Sequence, residues 1–145
     1  MINIIDIYAK KHGTTRYQIF KISGVAQTTL ANSGKKKFEN MSVKIIKALA
    51  LATHNNLGNT LNELNDINGN PIIQFIRDHK NLNKDMVNEL EDLIIWHGLN
   101  GGSFNNISFN RYYDEGPDTD ERAEIALENV IDVLQDLKKS MQKDD

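Results

Sequence analysis

A glycine turn between two short amphipathic segments, with three lysines behind them, narrows the folds open to this chain. The segment is residues 15–37, TRYQIFKISGVAQTTLANSGKKK. Thr15 can cap a first helix, because its hydroxyl can accept an orphan backbone N–H. Ile19 and Ile22 then fall on one helical face. Ser23-Gly24 breaks that helix, and glycine tolerates the left-handed conformation that such a break uses. Residues 27–32 follow as a second helix, apolar on one side and rich in amides and hydroxyls on the other. This is the layout of a helix-turn-helix whose second helix enters a DNA major groove. Gln27, Thr28, Thr29 and Asn32 are the candidate contacts on that helix. Gln or Asn can take adenine bidentately, and a Thr methyl can meet the thymine methyl. Arg16 at the start of the first helix, with Lys35, Lys36 and Lys37 after the second, are the candidate contacts that hold phosphates and fix register, and Thr15 is a further candidate DNA contact. Two plainer alternatives stand beside these: a helical hairpin used only for packing, and a lysine run that is simply solvated.

Charge divides along the chain in the same sense. Up to residue 66 there are nine basic and four acidic residues, a net +5; the remaining eight basic and sixteen acidic residues give −8. The first part suits a phosphate backbone, and the second would be repelled by one. The second part therefore implies a different partner or plain solubility. A length of 145 residues admits one ordinary domain or two small ones. No run approaches the roughly 18 apolar residues of a membrane span, the first residues lack a signal-peptide pattern, and there is no cysteine. The expectation is a cytoplasmic protein without disulfides or thiolate metal sites.

The periodicity predicts an all-α chain. Helices are expected over residues 4–12, with Ile5, Tyr8 and Ala9 inward; over the two segments above; from a cap at Asn40, with Val43, Ile46, Leu49 and Ala50 recurring at helical spacing; and over 57–64. Ile67-Asn68-Gly69-Asn70-Pro71 has the composition of a turn followed by a helix start. It divides a five-helix DNA-binding domain, 1–66, from an acidic helical domain, 67–145. In the latter, Ile72, Ile73, Phe75 and Ile76 make a short apolar helix. Asn83 caps another that buries Met86, Leu90, Leu93, Ile94 and Trp96. Residues 98–106 form a Gly/Asn-rich loop, and 107–113 alternate like an extended segment without a partner strand. Asp118 and Glu121 open a long final helix to about residue 139. On it Leu127, Val130, Leu134, Leu137 and Met141 repeat at 3–4 spacing, as a coiled-coil seam or as an internal core face.

Catalytic chemistry is hard to find. His12, His54, His79 and His97 are scattered without metal-ligand spacing, and no phosphate-binding, dinucleotide-binding or nucleophile-elbow motif occurs. The expectation is a protein that is not an enzyme and needs no metal or cofactor. Phe109, Tyr112 and Tyr113 stand beside the acidic run of Asp114, Glu115, Asp118, Asp120, Glu121 and Glu124. They are either core aromatics next to a solvated surface or anchors of a protein-binding patch with an acidic rim.

Thr15, Ile19, Gly24, Val25, Thr29, Leu30 and Gly34-Lys35 resemble the pattern of Cro/CI-type repressors. Phe20 stands where those repressors have a small residue, and Ala26 where they have a Ser or Thr cap. A resemblance covering more of the chain joins KKHGTTRYQIFKISGVAQTTL, IIKALAL, SFNRYYDE and ALENVIDVLQDLKK. Together these look like the helix-turn-helix anti-CRISPR family from prophages of Gram-positive bacteria. The match is good over 1–67 and 107–139 and weak between. The resemblance implies an all-helical homodimer with two activities. An N-terminal Cro/CI-type domain would repress its own operon promoter on double-stranded DNA. A C-terminal domain would bind and inhibit the type II RNA-guided CRISPR effector nuclease. Carried over by that motif, Ser108 and Phe109 are candidate effector contacts, with Asn110, Arg111 and Tyr112 beside them. The rivals are a plain prophage repressor whose C-terminal domain dimerises or senses a peptide, and an antitoxin whose acidic domain neutralises a basic toxin.

Overall fold

The computed structural model describes residues 2–79, 82–102, 104 and 119–143, and among them every regular element is helical. In chain order these are α1 (Ile4–Lys11), α2 (Arg16–Ser23), α3 (Gln27–Lys35), a single 3₁₀ turn (Phe38–Asn40), α4 (Val43–Ala52), α5 (Leu57–Asn68), α6 (Pro71–Arg77), α7 (Lys84–Leu99) and α8 (Thr119–Lys143). The chain gathers into two compact units, Met1–Ile73 and Gln74–Asp145, which divide within α6.

In the first unit α1 is the central element. Ile4, Ile5, Ile7, Tyr8 and Ala9 are all buried, so the helix is enclosed on more than one side, and α2, α3 and α5 all pack on it. Its start is set by Asn3, whose Oδ1 accepts the Ile5 and Asp6 N–H groups at 3.0 and 3.2 Å. Burying the Tyr8 ring would strand its hydroxyl without partners in the core. The hydroxyl lies 2.7 Å from Thr53 Oγ1 and 3.2 Å from Thr60 Oγ1, which ties α1 to the end of α4 and the start of α5.

Several boundaries moved from their expected places. The cap of α4 is Ser42, whose Oγ accepts the Ile45 N–H at 3.4 Å. Asn40 instead closes the 3₁₀ turn before it. Helix α3 continues to Lys35, with Gly34 buried against Asn3, and α5 continues to Asn68, with Ile67 buried. Ile22 and Val43 are half-exposed, whereas Ile19 and Ile46 are buried. Helix α2 buries only Ile19, so its adjoining Ile22 stays outside, whereas α4 buries six residues and leaves out Val43 at its first position. The turn expected at residues 67–71 is present in shortened form. Asn70 Oδ1 accepts the Ile72 N–H at 2.9 Å, and Pro71 occupies the first position of α6, where no N–H is needed.

In the second unit α8 packs along α7. Asn83 caps α7 as expected, accepting the Met86 N–H at 3.1 Å. Leu90, Leu93 and Ile94 of α7 are buried, as are Ala123, Ala126, Leu127, Val130, Ile131 and Leu134 of α8. Three of the five residues of the expected seam are therefore core. Leu137 is 41% exposed, and the side chain of Met141 lies outside the description. The two helices are also joined by the Asn83 N–H on Glu124 Oε1 at 2.9 Å, by Gln135 on Glu89, and by the Lys138 ammonium 5.6 Å from the centre of the Trp96 ring. Helix α7 runs through Gly98 to Leu99, two residues into the expected loop. The extended segment 107–113 and the cap at Asp118 lie outside the described residues.

Candidate nucleic-acid interface

The site is built from α2, α3 and the turn between them. Thr15 stands in extended conformation, and its Oγ1 accepts the Gln18 N–H at 3.2 Å. Gln18 in turn accepts the Thr14 hydroxyl on Oε1 at 2.9 Å. The helix ends as its sequence demands. Gly24 adopts φ +78°, and its N–H closes on Phe20 O at 2.8 Å. Ser23 Oγ donates to Ile19 O at 2.6 Å and accepts the Val25 N–H at 3.2 Å, so both sides of the turn hang on one hydroxyl. Ala26 begins α3 without a side-chain cap, leaving the first N–H groups of that helix to solvent or to a ligand.

Helix α3 is buried through Leu30, Ser33 and Gly34. At about 100° per residue, Thr28, Asn32 and Lys35 lie opposite that buried side, with Gln27 and Thr29 on the two flanks. All five are exposed, as are Lys36 and Lys37. No acidic residue occurs between Asp6 and Glu39, so this outward face is flanked only by hydroxyls, amides and cations.

Thr15 is exposed and Arg16 half-exposed at the start of α2. Arg16 Nε lies 2.9 Å from Asp6 Oδ1, so the phosphate contact expected of Arg16 already has a carboxylate beside it. Asp6 did not figure among the candidate residues. Nor did Asn3, which is buried and does two jobs: it caps α1 and donates from Nδ2 to Ala31 O of α3 at 3.0 Å. An Asn before an apolar helical segment is legible as a cap. A bond across 28 residues has no local signal.

Ser108, Phe109, Asn110, Arg111 and Tyr112, the residues expected to meet a protein partner, lie outside the described residues. Among the described residues, no group of three His, Asp or Glu side chains is placed to hold a metal ion, and no helix is long and apolar enough to cross a membrane. The chain matches no protein-family model and no curated protein.

Proposed function

We propose that this chain is a two-domain, phage-encoded anti-CRISPR protein that also represses its own promoter. In this reading α1–α5 form a five-helix Cro/CI-type helix-turn-helix domain, and α3 is the helix that enters the major groove. The observation that carries the DNA-binding half is the outward face of α3. It presents Thr28 and Asn32 between flanking Gln27 and Thr29, with Lys35, Lys36 and Lys37 at its end and the buried Leu30 and Gly34 behind it. Polar groups of that length suit base edges, and the lysines suit phosphates. Binding should weaken steeply with salt.

The inhibitory half rests on the resemblance of SFNRYYDE and the helix after it, with Ser108 and Phe109 as the leading contacts. Mechanism there is non-catalytic: a surface occludes the effector nuclease. The protein acts as a homodimer, which sets two copies of α3 about one DNA turn, ~34 Å, apart. With Leu127, Val130 and Leu134 buried, the exposed large apolar residues among the described side chains of α8 are Ile125, Val133 and Leu137. Val133 and Leu137 fall four residues apart, on one stripe that the second copy covers.

The deciding experiment places the full-length chain in a bacterium with an active type II CRISPR system and scores survival of a targeted phage. A reporter for the protein's own promoter is followed in parallel. Phage rescue that Phe109→Ala abolishes, with repression intact, is the expected result. Repression without rescue against several effectors would leave a plain prophage repressor.

A further inference from the structure

Arg16 is the first residue of α2, and α1 holds it there. Its Nε lies 2.9 Å from Asp6 Oδ1, with the two side chains 38% and 30% exposed. Asp6 is held in turn, because its backbone N–H is bonded to Asn3 Oδ1 in the first turn of a largely buried helix. The carboxylate is thus presented from a fixed element. Engagement at Nε uses one of the five N–H donors of a guanidinium and leaves donors on the terminal Nη groups for a second anion. We propose that Asp6 is a positioning residue for a DNA phosphate: it orients the Arg16 side chain so that its outer edge meets the backbone while its inner edge stays on Asp6. This rests on the DNA-binding function proposed above.

Two opposing effects set the sign. A carboxylate close to a phosphate repels it, which weakens binding. An arginine already held in place loses less rotamer freedom on binding, which strengthens it. Both side chains are partly exposed, and the guanidinium lies between the two anions, so the repulsion is screened. Ordering a long side chain in advance is worth about two- to tenfold in affinity. Positioning therefore prevails.

The test uses the full-length chain with two probes, the duplex immediately upstream of its own reading frame and an unrelated duplex of equal length. Each is titrated at several salt concentrations. Asp6→Ala is expected to weaken binding to both duplexes by about three- to tenfold, since a phosphate contact is blind to sequence. It should also reduce the salt slope by up to about 1. Asp6→Asn keeps an oxygen for Nε and should recover most of the affinity. In an Arg16→Ala background, Asp6→Ala should change nothing further. Tighter binding by both Asp6 variants would overturn the assignment and make the carboxylate a competitor of phosphate. Unchanged binding, or an equal loss with Arg16 already removed, would also overturn it. If the unsubstituted chain binds neither duplex at low salt, the DNA-binding function itself fails and the assignment falls with it. If that chain binds and Asp6→Ala has no effect, only the assignment fails.

Discussion

The carboxamide of Asn3 occupies the space that a side chain at Gly34 would need. A Cβ built on Gly34 overlaps Oδ1 and Cγ of Asn3, and the same carboxamide donates to Ala31 O one turn earlier in α3. The start of α1 is thereby pressed directly onto the backbone of the helix that carries Thr28 and Asn32. A glycine inside a helix ordinarily costs about 1 kcal/mol relative to alanine. Here it permits the close approach through which α1 orients α3.

Gly34→Ala should therefore destabilise the protein despite the better helix propensity of alanine. The expected loss is about 2 kcal/mol, the usual scale of overpacking, read from urea unfolding. In an Asn3→Gly background the same substitution should cost much less, because the two positions share one space. Additive losses would show that Gly34 matters for another reason.

Ala26→Ser should stabilise the protein. Ala26 has φ −57° and ψ 143° and makes no side-chain cap bond, while the first N–H groups of α3 lack intrahelical partners. A serine there can accept one of them, worth about 1 kcal/mol. Thermal unfolding of the variant checks this, and a melting temperature at or below that of the parent would contradict it.

Asn32→Ala and Lys37→Ala should separate base reading from phosphate holding. The first should relax preference at one base pair by about 1–3 kcal/mol while leaving the salt dependence alone. The second should weaken binding to every sequence alike and lower the salt slope by about 1. Selection from a randomised duplex pool, followed by salt titration, gives both readouts. Identical profiles for the two variants would place α3 outside the groove.

Leu134 and Val133 are neighbours in sequence with opposite expected roles. Leu134 is fully buried, so Leu134→Ala should cost about 2–5 kcal/mol of stability. Val133 is 51% exposed and shares a stripe with Leu137. Val133→Asp with Leu137→Asp should leave helicity intact and shift sedimentation toward monomer. An unchanged sedimentation coefficient would remove α8 from the proposed dimer contact.

Local chemistry made much of this protein legible from its sequence. The breaks and caps at Thr15, Gly24, Pro71 and Asn83 are short-range events, decided by one side chain and the N–H groups within a few residues of it. The exposure of Gln27, Thr28, Thr29 and Asn32 on α3 was legible too, because a face rich in Thr, Gln and Asn has no use in a core. What only the tertiary structure decided are contacts across long stretches of chain: Asn3 on Ala31, Tyr8 on Thr53 and Thr60, and Asp6 on Arg16. It also decided which apolar residues are inside. Val43, Ile22 and Leu137 keep the same helical spacing as their buried neighbours and yet lie outside. Periodicity reports which side of a helix can be buried. How wide that side is depends on how many other helices arrive to cover it, and no local stretch of sequence contains that information.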